Sequence, residues 1–164
     1  MAGMFPSMVA DPDDRNRRYS GPVGDKWPAP LRAGYWCFLL AAVLMLVSSF
    51  LMLRAGAPAE LEQDVAMSFR RNMRIVAAGN IILALCLTAC AAFFERGSKR
   101  ARRSASLFIF LTIFLNFAGF FVGVAGWVVF AIVALLAVGA FFIFRPSANA
   151  FVDERSGDLW RNVS

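Results

Sequence analysis

The 164-residue chain contains no histidine. Histidine is the usual axial ligand of haem, the commonest zinc ligand and the standard general base near neutral pH. The long apolar segments also lack Asp, Glu, Lys and Arg, the residues that normally mark proton relays and ion paths inside membranes. We therefore expect no cofactor, no bound metal and no catalytic activity, and a proton-coupled pump is disfavoured.

Cysteine is scarce, and its positions do not favour a disulfide. An odd number of thiols cannot pair completely. Cys37, Cys86 and Cys90 all fall within apolar segments, so none lies in an extramembrane loop where oxidation would favour a disulfide. Cys86 and Cys90 share one helix face at a four-residue spacing, where cysteine packs as a small hydrophobe. The sequence therefore predicts three structural free thiols.

Charged residues make up only 17% of the chain, whereas hydrophobic residues make up 59% and include seventeen Phe. This composition is typical of a membrane protein. The net charge is +6, but no basic stripe interleaved with aromatics occurs in a soluble segment, as nucleic-acid binding would require. Anionic lipid headgroups are the expected electrostatic partner, and no nucleic acid is expected.

Four apolar segments predict membrane spans, at residues 33–53, 75–94, 104–121 and 125–144. About twenty helical residues rise roughly 30 Å, the thickness of the hydrocarbon core. Spans three and four come from one uncharged run, Ser104 to Phe144, which would be about 60 Å long as a single helix. Gly123 and Gly126 are predicted to turn this run into a hairpin, and Gly119 to permit close helix packing. The predicted fold is an all-α integral membrane protein with four transmembrane helices in an antiparallel bundle.

The flanking segments are polar. Residues 1–30 combine Pro, Gly, Asp and Arg without a period and predict a disordered cytoplasmic tail, and residues 146–164 predict a second, short tail. Between spans one and two, Leu61, Val65 and Phe69 recur at four-residue intervals. Residues 58–72 therefore predict an amphipathic helix that lies on the membrane or extends span two, with a solvated loop as the alternative.

The distribution of basic residues predicts the orientation. Thirteen of the seventeen Lys and Arg residues lie before span one, between spans two and three, or after span four, and four lie between spans one and two. The positive-inside rule then places both termini in the cytoplasm of a multi-pass protein of the inner (plasma) membrane. The densest cluster is expected to determine topology, with a lipid-headgroup or protein site as the alternative: Arg96, Lys99, Arg100, Arg102 and Arg103.

Polar residues inside the spans predict an interhelical polar layer, because an unsatisfied amide in hydrocarbon is costly. Asn80 and Asn116 lie on small-residue stripes of spans two and three, which a short loop makes neighbours. We expect these stripes to face each other and the two amides to hydrogen-bond between helices, with a ligand site or polar pathway as the alternative. The predicted layer comprises Ser48, Ser49, Asn80, Thr88, Thr112 and Asn116.

These features favour a non-catalytic accessory or scaffolding subunit of a larger membrane or envelope complex, associating with other membrane proteins or with itself. A small oligomeric transporter or channel lined by Asn80 and Asn116 is the alternative, and an interfacial lipid enzyme ranks third because no catalytic pair is evident. The Arg and Ala bias is typical of GC-rich bacterial genomes. In size, composition and tail the chain resembles small four-span membrane proteins of actinobacteria, which implies an accessory role in respiratory or envelope complexes.

Overall fold

The computed structural model describes residues 23, 24 and 26–161, the last five by their backbone alone. This part of the chain contains no β-strand, which confirms the all-helical prediction for these residues. Its five helices are α1 (Ala29–Ala55), α2 (Gln63–Ala92), α3 (Lys99–Phe121), α4 (Val128–Ile143) and α5 (Pro146–Arg161). The predicted N-terminal tail lies largely outside the described residues.

Three helices are long and apolar enough to cross a membrane: α1 with 27 residues, α2 with 30 and α3 with 23. Helix α4 has 16 residues, about 24 Å at 1.5 Å per residue. It meets α5 at an angle of 63°, and the two count as a fourth span only when this bent pair is taken together. Three to four apolar helices of this kind are characteristic of a multi-pass membrane protein.

Helix ends follow the local sequence. Pro28 precedes α1 in an extended conformation, and the fixed φ of Pro30 suits the first turn. Ser98 caps α3, because its hydroxyl accepts a hydrogen bond from the backbone N–H of Ala101 at 3.2 Å. This cap places the start of α3 at Lys99, so part of the charged segment predicted as a loop between spans two and three is helical. Charge content set the predicted start of span three at residue 104, five residues too late for the helix, because a helix can continue beyond the hydrocarbon.

Helix α1 occupies the middle of the bundle and packs against both α2 and α4, while α2 also packs against α3. The α1–α4 contact is close: a Cβ added to Gly34 would lie 2.6 Å from Cγ2 of Ile143 and 3.2 Å from the carbonyl oxygen of Gly139. The side chain of Phe38 lies against Gly139 and stacks edge-on with Phe94 at 5.8 Å. Other fully buried residues of this core include Met45, Leu87, Ile132 and Leu136.

The segment predicted as a short C-terminal tail forms α5, to which the sequence analysis assigned no structure. Ala148, Phe151 and Val152 are buried in the main core. The hydroxyl of Ser156 donates to the carbonyl oxygen of Gly97 at 2.9 Å, in the loop between α2 and α3. Helix α5 is therefore docked across the end of the bundle formed by that loop.

The other segment boundaries also differ from the predicted ones. Within the predicted amphipathic segment 58–72, the residues from Gln63 onward form the first turns of α2 and are continuous with the residues predicted as span two. Trp27, assigned to the disordered tail, is half-buried against the core and stacks edge-on with Tyr35 at 5.4 Å. An aromatic ring placed one turn before α1 gains more from this packing than from exposure to water.

Candidate functional site

A buried pair of amides lies between α2 and α3. Asn80 and Asn116 are each only 1% exposed. The Nδ2 of Asn116 donates to Oδ1 of Asn80 at 2.8 Å, and the Nδ2 of Asn80 donates to Oδ1 of Asn116 at 3.3 Å. The Nδ2 of Asn116 also donates to the carbonyl oxygen of Thr112 at 2.9 Å. The structure thus joins the two residues in the reciprocal interhelical arrangement that their spacing predicts.

Small residues on both sides of this amide pair bring the helices together. A Cβ added to Gly119 would lie 3.2 Å from both methyl groups of Val76. A Cβ added to Gly79 would overlap the side chain of Leu115. Such close approach shortens the gap that the two asparagine side chains must bridge.

The four hydroxyl residues of the predicted layer behave differently, and their assignment to interhelical bonding is wrong. The hydroxyls of Ser48 and Ser49 donate to the carbonyl oxygen of Met45 in their own helix. The hydroxyls of Thr88 and Thr112 likewise donate four residues back, to Ala84 and Phe108. A Ser or Thr in a helix reaches its own backbone without needing a neighbour, whereas an asparagine amide has further donors and acceptors to satisfy.

The predicted basic cluster divides into residues with and without partners in the fold. Nη1 of Arg102 donates to Oδ1 of Asn149 at 2.6 Å and lies 3.4 Å from the carbonyl oxygen of Ile143, at the end of α4. Its guanidinium also lies over the ring of Phe144. Lys99 forms an ion pair with Asp153 at 2.9 Å. These two residues therefore attach α5 and the end of α4 to α3.

The remaining members of the cluster are Arg96, Arg100 and Arg103, and all three are exposed. The guanidinium of Arg96 lies 5.4 Å from the centroid of the Phe93 ring, while Arg100 and Arg103 lie in the first turns of α3. These three cations are the part of the cluster that can serve as a topology determinant or meet lipid headgroups.

The predicted hairpin turn occupies residues 122–127, between α3 and α4. Gly123 has φ +76°, a conformation that favours glycine. Gly126 lies in the same turn without a positive φ, so its predicted need for glycine's conformational freedom is wrong. The turn already reverses at Gly123, which leaves ordinary backbone for the residues that follow.

Aromatic rings cover the outside of this turn. Phe120 contacts Phe121, Trp127 and Phe130, with centroid distances of 5.1 to 6.3 Å. Phe121 and Trp127 are 83% and 80% exposed. Exposed aromatics at the end of an apolar hairpin match the belt that such rings form at membrane–water interfaces.

An apolar depression that the sequence analysis missed lies beside the turn, with a volume of about 460 Å³. Its walls include Met52 of α1, Phe69 and Met73 of α2, and Val124 of the turn. The four-residue repeat through Val65 and Phe69 indicates an apolar face on this part of α2, but it does not show that Met52 and Val124 lie opposite that face. Asn149 was also not predicted as a functional residue, because its partner Arg102 lies 47 residues away in the sequence.

The described residues contain no group of three or more His, Cys, Asp or Glu side chains that could hold a metal ion. Cys37, Cys86 and Cys90 are free thiols. Every buried side-chain nitrogen and oxygen in this part of the chain has a hydrogen-bond partner. The amide pair therefore forms part of the helix contact, with its polar atoms directed at each other.

No protein family, curated protein or solved structure matches the chain.

Proposed function

We propose that the chain is a four-span membrane protein with an antiparallel bundle and both termini in the cytoplasm of the plasma membrane. The contacts support antiparallel neighbours, because Val76 meets Gly119 while Asn80, one turn later, meets Asn116, one turn earlier. The fourth span is assigned to α4, whose 16 residues reach the required length only together with the bent α5. The excess of Lys and Arg in the tails and the α2–α3 loop favours this orientation.

Topology can be tested with single-cysteine variants in a cysteine-free background. Glu95 is exposed in the α2–α3 loop and Gln63 is exposed at the start of α2. Both sites leave the Ser98 cap intact. An impermeant thiol reagent should label Gln63→Cys in intact cells, and Glu95→Cys only after lysis. Labelling in the opposite pattern would invert the proposed orientation.

We infer that the protein acts as a non-catalytic accessory or scaffolding subunit of a larger bacterial membrane or envelope complex. The observation that carries this proposal is the closed Asn80–Asn116 pair, because these buried amides bind one another. A bundle of this kind presents its outer surface, and not an internal site, to other molecules.

The lipid-facing side of α4 supports association with another helix. Ala131, Ala134 and Ala137 are exposed on one face, between the larger exposed rings of Phe130 and Phe141. Small residues on a transmembrane helix allow a second backbone to approach closely, and packing drives helix association in lipid. This alanine face of α4 is the surface we assign to a partner subunit or a second copy.

The partner assignment can be tested by affinity purification in mild detergent followed by mass spectrometry. Ala134→Leu should remove the partner by filling the alanine face. The matched control is Ala118→Leu on the exposed side of α3, which should retain the partner. Recovery of the same proteins at the same ratio with Ala134→Leu would contradict the assignment.

A small oligomeric transporter or channel is the second candidate, because the same two asparagines are the polar groups a pathway would need. Asn116→Leu separates the candidates. A pathway role predicts loss of flux in vesicles with folding intact, whereas a packing role predicts lower stability in detergent. We favour the packing role, since each amide is occupied by the other.

A further inference from the structure

Three arginines lie together on one exposed face of α2. Arg70, Arg71 and Arg74 border a shallow depression of about 610 Å³, whose other lining residues are Met67, Ile75 and Ala78. Spacings of three and four residues place all six side chains on the same side of the helix. We call this surface the arginine face of α2.

The three guanidinium groups have no hydrogen bond or ion pair within the described part of the chain. They are also like charges at three- and four-residue spacing, an arrangement that destabilises a helix. Lys99 and Arg102 at the other end of the bundle are held by Asp153 and Asn149. The arginine face is therefore a concentration of positive charge that no side chain in the described part of the chain neutralises through a hydrogen bond or ion pair.

An apolar stripe continues from the arginine face along the same side of α2. Ile75, Ile82 and Leu85 are 54%, 61% and 60% exposed, and Ala78 lies between them. Val76 contacts Gly119, two residues before the end of α3 at Phe121. Arg74 is thus level with the end of the neighbouring helix, at the border between polar and apolar surface.

We propose that the arginine face of α2 binds the phosphate of an anionic phospholipid, whose acyl chains lie along Ile75, Ala78, Ile82 and Leu85. Arginine binds phosphate oxygens through two parallel N–H donors. The order of the surface, cationic and then apolar for two to three helical turns, matches the order of groups in a lipid molecule. The proposal rests on the proposed membrane insertion of α2 and is independent of the subunit role.

The test uses the full-length protein purified in a neutral detergent, titrated with phosphatidylglycerol and monitored by native mass spectrometry. The variant replaces Arg70, Arg71 and Arg74 with Gln. The matched control replaces three exposed cations at the other end of the bundle, outside the predicted basic cluster, with Gln, and so changes the net charge equally: Lys26, Arg32 and Arg145.

We expect the arginine-face variant to bind phosphatidylglycerol at least about tenfold more weakly, and the control to bind as the original protein does. Phosphatidylcholine, which carries the same phosphate without net charge, should bind poorly to the original protein and to both variants. Equal weakening in the two variants would show that net charge alone acts and would overturn the proposal. Unchanged binding in the arginine-face variant would also overturn it.

Two further arms complete the test. Displacement of the lipid by millimolar inorganic phosphate would overturn the lipid assignment in favour of a free-anion site. If the triple variant does not fold, Arg74→Gln alone should weaken phosphatidylglycerol binding several-fold, and unchanged binding would again refute the proposal. Loss of lipid binding with the partner subunit retained would separate this site from the alanine face of α4.

Discussion

Replacing Asn116 with Leu tests how much the amide pair stabilises the bundle. The substitution removes the two hydrogen bonds between Asn116 and Asn80, at 2.8 and 3.3 Å. Interhelical hydrogen bonds in membrane proteins contribute about 0.6 kcal/mol on average, so their loss costs about 1 kcal/mol. Asn80, 1% exposed, is then left without its partner, which costs about 1–3 kcal/mol more. We expect Asn116→Leu to lower the free energy of unfolding by about 2–4 kcal/mol.

A double-mutant cycle identifies the source of this loss. Asn80→Leu should cost a similar amount, because it leaves Asn116 buried with only its bond to the Thr112 carbonyl oxygen. The double variant removes both amides, so it should be less destabilised than the sum of the single variants by about 1–2 kcal/mol. Thr88→Val is the control, since its hydroxyl bonds only within α2, and it should change stability by less than about 0.5 kcal/mol.

The free energies can be measured by equilibrium unfolding in mixed micelles of increasing SDS content, followed by circular dichroism. Single-variant losses below about 0.5 kcal/mol, with an additive double variant, would refute the stabilising role of the pair. A loss in the single variants that the double variant does not relieve would show that leucine is a poor steric fit, and would refute the electrostatic part of the reasoning.

Two further substitutions test the helix contacts. Gly34→Ala should destabilise the bundle by about 1–3 kcal/mol in the same SDS assay, because the new Cβ would lie 2.6 Å from Cγ2 of Ile143. The control Gly126→Ala should be neutral, because its Cβ would meet nothing within 4 Å. Equal effects of the two substitutions would contradict the close approach of α1 and α4. Arg102→Gln should release α5, because it removes the hydrogen bond to Asn149. The rate of hydrogen exchange at the backbone amides of residues 147–156 should then rise. Exchange at the original rate would show that Arg102 does not hold α5 in place.

Much of the fold is predictable from the length of the apolar runs. A run of 41 uncharged residues cannot remain one membrane helix, and the break falls at Gly123, where the backbone requires positive φ. Helix α5 was missed because a polar segment after the last span gives no length signal. Its burial depends on Phe151 and Val152 finding a surface made by other helices, which local sequence does not describe.

The polar layer shows where spacing is informative and where it is not. The spacing of residues on two neighbouring helices was enough to predict that Asn80 and Asn116 meet, because an amide inside a bundle has few other partners. The same spacing misplaced the bonds of Thr88 and Thr112. Their hydroxyls have an acceptor one turn away in the same helix, so facing another helix does not imply bonding to it.

Basic residues can have two separate roles, setting the orientation of the chain in the membrane and binding an anion, and a count of charges along the sequence does not distinguish them. The positive-inside rule weighs every cytoplasmic Lys and Arg equally, since each resists translocation while the chain inserts. Binding an anion in the folded state requires cations that the fold leaves unpaired. Arg102 belongs to the densest cluster in the sequence and yet is bound to Asn149, whereas Arg70, Arg71 and Arg74 lie in a sparser segment and share an exposed face. The cluster predicted to set orientation therefore need not be the one that holds lipid. Its Arg96, Arg100 and Arg103 are also exposed, but we propose lipid binding for the arginine face of α2 because its three cations adjoin an apolar stripe on the same side of the helix.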